Sequence, residues 1–139
     1  SIRRWLDEGG VAGLLADRSL PGNSQRSKAV AFSFLGAPAY FPDGPFRLAA
    51  MLRRRVVFMA GLYRGGRDYD LRFVELADFT HLPGAGAAGA GERDAAVRAA
   101  MQRYVATLEG LCREAPYNWF NFYDFWADAE TPTSSTATP

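Results

Sequence analysis

The 139-residue chain has one cysteine, Cys112, one histidine, His81, and one lysine, Lys28. A lone cysteine excludes an internal disulfide and any cysteine-only metal site. A lone histidine leaves no His/Cys cluster for zinc. An excess of one charge is missing too: 16 basic residues against 15 acidic ones leave +1, which argues against nucleic-acid binding driven by bulk charge. Long hydrophobic runs are absent. The longest uncharged one, 56–62, falls far short of the roughly 20 residues that cross a bilayer. No basic stretch leads into an apolar one at the start, so no secretory signal is read there. No internal repeat is visible.

What is present is the make-up of a globular domain: 48% apolar and 22% charged residues, with enough length to bury a real core. All basic residues except Lys28 are arginine, which favours planar, bidentate recognition, although coding bias toward Arg and Ala would leave the same trace. The opening reads as the middle of an uncapped amphipathic helix, with Ile2, Trp5 and Leu6 on one side and Gly9-Gly10 as its stop. That suits a piece of a longer protein. Residues 127–139, with four Thr, two Ser, two Pro and no large apolar side chain, read as a disordered tail.

Between these ends, the short apolar run Val11-Ala12-Gly13-Leu14-Leu15-Ala16 reads as a buried strand. Residues 19–28 read as a loop. The next strand, 29–35, alternates Val30, Phe32 and Phe34 against Ala31 and Ser33. Residues 36–45 are turn-rich, and Pro45 suits the first position of a helix to about Arg53. Residues 56–63 are apolar on both faces, the mark of a central strand covered on both sides. A turn at 64–68 and a returning strand at 69–76 complete an antiparallel hairpin. After a loop at 78–91, Val97, Met101, Tyr104, Leu108 and Leu111 form one apolar stripe on a long helix that Pro116 ends. The order β, β, α, β, β, α fits an α/β sheet covered by helices and missing its first elements.

Few residues carry a chemical signal. Asp17, directly after a buried strand, is a candidate charge at a cleft, because sites in open α/β sheets gather at the carboxyl ends of strands; the plainer reading is an aspartate that simply starts a turn. Arg47 lies in the first turn of a helix, where the dipole disfavours a cation. It reads either as solvated or as paired with a carboxylate or phosphate. Residues 117–126 hold seven aromatics in ten. They suit a core edge where Asn118, Asn121 and Asp124 complete hydrogen bonds, a membrane interface, or a base-stacking platform that the balanced charge disfavours. The Gly/Ala run at 84–91 lacks the Gly-Lys-Ser/Thr ending of a phosphate loop and reads as a connector. His81 reads as a surface histidine and Cys112 as a small buried hydrophobe.

Four segments in order carry a resemblance: Leu15-Ala16-Asp17-Arg18, Phe34-Leu35-Gly36, Gly44-Pro45-Phe46-Arg47-Leu48-Ala49, and Ala115-Pro116-Tyr117-Asn118-Trp119-Phe120-Asn121-Phe122-Tyr123-Asp124-Phe125-Trp126. Together they resemble the bacterial lipid A biosynthesis acyltransferase family, in the branch ending in Trp-Phe-Asn-Phe-Tyr-Asp-Phe-Trp. The resemblance covers residues 1–126 and implies the C-terminal portion of an acyltransferase domain, with a glycerolipid-acyltransferase-like mixed sheet. It implies transfer of a fatty acyl chain from an acyl carrier protein thioester to a hydroxyl of a lipid or glycolipid, at the cytoplasmic face of the inner membrane. Neither cofactor, metal nor nucleic acid is implied. The family's His-x-x-x-x-Asp/Glu motif, in which histidine is general base and the carboxylate orients it, has no match: Gly86 stands five residues after His81. The resemblance therefore places the catalytic pair upstream of Ser1 and leaves this piece inactive alone. It assigns Asp17 to ordering the active site, and Arg47 to binding an anionic group or structuring the cleft. Arg18 stands in the adjoining substrate-binding position, where the family normally has Gln. The other reading of the chain is a non-catalytic lipid-surface or protein-binding module.

Overall fold

Side-chain alternation builds the first hairpin. In a computed structural model of the chain, which describes residues 1–17, 29–84, 86–121 and 125–126, strand β1 (Ala29–Phe34) turns its Phe34 into the core. It pairs antiparallel with β2 (Ala37–Pro42). The prolines of 36–45 predict a run of turns, but 37–42 is a strand. The register explains why a strand forms there. Leu35 and Gly36 are a two-residue loop, both at positive φ, so Phe34 and Ala37 are a hydrogen-bonded pair and alternate pairs beyond are not. Pro38 faces Ser33 and Pro42 faces Ala29. Both prolines thus fall in non-hydrogen-bonded pairs, where a missing N–H costs the ladder nothing.

Helix α2 (Gly44–Met51) follows with Pro45 in its first turn, as the sequence implies. Arg53, at φ 55°, then turns the chain into β3 (Arg55–Gly65), which pairs antiparallel with β4 (Asp68–Asp78). The inward residues of β3, Phe58 and Leu62, are buried. Its outward ones are not: Val57, Met59 and Tyr63 face solvent, so the expectation of a strand covered on both sides is corrected. A run apolar at every position cannot reveal which face finds a cover.

The long helix α3 (Ala90–Glu114) packs across both hairpins through Val97, Met101, Tyr104 and Val105. A one-turn 3-10 helix, Pro116–Asn118, ends it at the expected proline. Tyr104 is the hub. Its ring lies 6.1 Å from Phe41 of β2, 5.6 Å from Phe46 of α2 and 5.7 Å from Phe58 of β3. Trp119, Phe125 and Trp126 close around Phe34 at 5.4–6.1 Å, which is the core-edge option for part of the aromatic run. Tyr117 and Phe120 of the same run are exposed.

Two expectations are corrected near the start. The helix α1 (Ile2–Asp7) is capped: Ser1 Oγ accepts from the Arg4 N–H at 3.5 Å. Residues 11–16 are no strand. Val11, Leu14 and Leu15 are exposed and the backbone is irregular, because Gly9-Gly10 and the length of the run give it a strand's composition without a partner strand. The chain is mixed α/β, but among the described residues its strands form two separate two-stranded antiparallel sheets rather than one mixed sheet. Arg18, the loop at 19–28 and the tail at 127–139 lie outside the described residues.

Candidate functional site

An apolar cleft of about 670 Å3 opens between β3, α2, α3 and the segment 10–17. That volume lies within the roughly 300–1,000 Å3 of small-molecule sites. Phe46, Leu48 and Ala49 of α2, Phe58 and Ala60 of β3, and Leu108 of α3 form its walls. Each is inward-facing by the periodicity of its own element. Ile2 and Leu6 of α1 and Leu14 and Leu15 of the irregular segment form the opposite side. No residue of α1 is buried. An ion pair between the Arg54 guanidinium and Asp7 ties this helix to the end of α2.

The charged and amide side chains of the cleft are few: Asp17, Arg54, Arg55 and Asn118. Asn118 works as a strand substitute on the outer edge of β3. Its Oδ1 accepts from the Tyr63 N–H at 2.5 Å, and its Nδ2 donates to the Tyr63 carbonyl at 3.4 Å. Arg55 is paired with Asp78 at 3.1 Å. The Asp78 carboxyl is held down to about 2, first by the Thr80 hydroxyl, then by the Thr80 N–H, and further by Arg55.

The three residues singled out from sequence do not form one cluster among the described residues. Asp17 lines the cleft at a bend, half-buried. Arg18 lies outside the described residues. Arg47, unlike its neighbours Phe46 and Leu48, does not line the cleft. Its Nε donates to Asp43 Oδ2 at 2.5 Å and its Nη1 to Asp94 Oδ1 at 2.7 Å, bridging α2 and α3. The partner of this misplaced helix cation is thus a pair of carboxylates of the chain itself. Those hydrogen bonds raise the guanidinium pKa further, Asp43 contributing most. Sequence reasoning missed Asp43, whose side chain is buried. Its signal was there: an acidic residue before Gly44-Pro45, one helical turn ahead of Arg47.

His81 is exposed, as expected. Cys112 is buried, also as expected, and desolvation, with Glu109 nearby, pushes its thiol pKa up. Among the described residues no group of three or more His, Cys, Asp or Glu is placed to hold a metal ion. None of the described helices is long and apolar enough to cross a membrane.

Fold and site define a mixed α/β protein with a mostly apolar cleft along one open sheet edge. Comparison with protein-family models, curated proteins and solved structures gives no match.

Proposed function

We propose that the cleft is the acyl-chain site of an O-acyltransferase of the lipid A type, and that the chain is the C-terminal portion of a glycerolipid-acyltransferase-like domain. The observation that carries this reading is the apolar cleft with Asp17 on its lining. An acyl chain has no polar group to satisfy along its length, and such walls offer it only apolar contact. The donor is an acyl carrier protein thioester, and the acceptor a hydroxyl of a lipid or glycolipid at the cytoplasmic face of the inner membrane. In the transfer, the acceptor oxygen bonds to the thioester carbonyl carbon, the C–S bond breaks, and the hydroxyl proton passes through a base to the departing thiolate. That base is the histidine of a His-x-x-x-x-Asp/Glu pair, which this chain does not contain. Asp17 orders the polar end of the site, and Arg18, the next residue in the chain, is the substrate-binding residue of the same reading. Arg47, with both of its carboxylates matched, structures the α2–α3 wall.

Binding is the direct test. A fluorescent polyene fatty acid titrated into the protein is expected to bind saturably. Leu14→Glu and Leu15→Glu, at exposed positions lining the cleft, should each weaken that binding about tenfold without lowering the melting temperature. Absence of saturable binding to the unaltered chain ends the proposal. Where the chain acts together with its His-x-x-x-x-Asp/Glu pair, Asp17→Ala should lower turnover with the fold intact, and unchanged turnover removes Asp17 from the site. The exposed aromatic and aliphatic face of the β3–β4 hairpin favours a second reading, a non-catalytic lipid-surface or protein-binding module. Acyl transfer by the complete protein separates the two.

A further inference from the structure

Three guanidiniums follow α2, and two of them have full partners. Arg53 donates from Nη2 to the Thr80 carbonyl at 3.0 Å, and Arg55 from Nε to Asp78 Oδ2 at 3.1 Å. Arg54, between them, is half used. Its Nη2 meets Asp7 Oδ1, but its Nε–H is buried and has no hydrogen-bond partner among the described residues. In an arginine, Nε–H and the Nη2–H beside it lie along one edge of the guanidinium plane, and that edge matches two oxygens of a carboxylate or phosphate. Asp7 gives the edge one oxygen. A buried donor left unpaired is costly, so an anion that meets both N–H groups is the better match.

Asp7 is also an easily displaced partner. It stands on α1, which has no buried residue, and its side chain is 57% exposed, a setting in which an ion pair is worth little. The other side-chain polar contacts of α1 among the described residues are local, such as Arg4 to Glu8 at 2.9 Å and Trp5 Nε1 to the Val11 carbonyl at 3.3 Å. Arg54 itself lines the apolar cleft, with 30% of its side chain open to solvent, which puts a cation at the rim. The lining has two other charged residues. Arg55 is matched by Asp78, and the charge of Asp17 opposes an anion. Arg54 is therefore the cation of the lining with an N–H left to give.

We propose that Arg54 is the anion-binding residue of the cleft. The carboxylate or phosphate head of a lipid takes its Nε–H and Nη2–H together and displaces Asp7, while the chain of that lipid lies against Phe46, Leu48, Phe58 and Leu108. The proposal rests on the reading of the cleft as an acyl-chain site, and adds that the lipid seated there is an anionic one. Asp7 acts as a built-in competitor: it holds the guanidinium and α1 together until the head group arrives.

Paired titrations test this, with an ionised polyene fatty acid and its methyl ester as probes. The acid is expected to bind about tenfold more tightly than the ester. Arg54→Gln should erase that preference and leave the affinity for the ester unchanged. Asp7→Asn should tighten the acid about threefold and leave the ester alone. Dodecyl phosphate should displace the acid at concentrations where inorganic phosphate does not. Equal binding of acid and ester overturns the proposal and leaves the acyl-chain reading standing, whereas binding of neither ends that reading as well. An Arg54→Gln protein that loses acid and ester alike makes Arg54 a support of the wall and nothing more. An Asp7→Asn protein with unchanged affinity for the acid removes Asp7 as competitor. Displacement by inorganic phosphate as strong as by dodecyl phosphate makes the ligand a free anion and overturns the lipid assignment.

Discussion

Single residues here act through the partners that the fold gives them. Arg47 is an exposed helix cation in sequence and a bridge between Asp43 and Asp94 in space. Asp78 is the clearest electrostatic case. Its carboxyl accepts from the Thr80 hydroxyl at 2.6 Å and from the Thr80 N–H at 3.0 Å, and its pKa falls to about 2. The folded chain therefore binds this proton less tightly than the unfolded chain, whose aspartates titrate near about pH 4. The stabilisation is complete above that range and is lost as pH falls toward about 2. A carboxyl titration by NMR should place Asp78 near about 2, and Thr80→Val should move it up toward the ordinary aspartate value. A Thr80→Val protein with the same Asp78 titration would show that the hydroxyl is not the cause.

At the scale of the element, backbone conformation decides what composition leaves open. The β1–β2 loop needs positive φ at both Leu35 and Gly36, a two-residue turn that matches the twist of its strands. A β-carbon on Gly36 would meet nothing within 4 Å, so the cost of adding one is that of the left-handed backbone alone. Gly36→Ala should destabilise by about 1–2 kcal/mol, read from urea unfolding. A loss much smaller than this means that the loop relaxes to another turn. Elsewhere, periodicity was a good guide where one face alone was apolar. The stripe Val97, Met101 and Tyr104 gave α3 its buried face, and Val30, Phe32 and Phe34 gave β1 its inner one. It misled where the pattern was uniform, as along 56–63, and where a run was short, as at 11–16. Cover over the outer face of 56–63, and strand formation at 11–16, depend on a neighbour whose presence no local pattern records.

At the scale of the whole molecule, two small sheets, separate among the described residues, are joined by one core. A two-stranded hairpin is marginal by itself, so each depends on α3 and on the ring cluster around Tyr104. A second link lies at the far end of α3. Glu114 meets Arg64 at 3.2 Å and Arg72 at 2.8 Å, and Asp70 joins the same group. Tyr104→Ala should cost about 3–5 kcal/mol, as loss of a buried aromatic does, and should unfold both hairpins in one transition. Tyr104→Phe, which keeps the ring, should cost far less. Denaturant curves followed by near-UV and far-UV circular dichroism would coincide in the unaltered chain; a loss below about 1 kcal/mol in Tyr104→Ala would deny the hub role.

The sequence by itself determined the mixed α/β class, the long helix and its stripe, the β3–β4 hairpin and the burial of Cys112. Each follows from a one-sided apolar pattern or a turn signal, which are local properties. Only the tertiary structure decided that Arg47 also reaches Asp94 while Asp17 faces a cleft, that 11–16 stays irregular, and that the outer side of β3 is bare. Burial and ion pairing are set by what lies across space, and residues 47 apart in the chain, such as Arg47 and Asp94, meet only when helices pack.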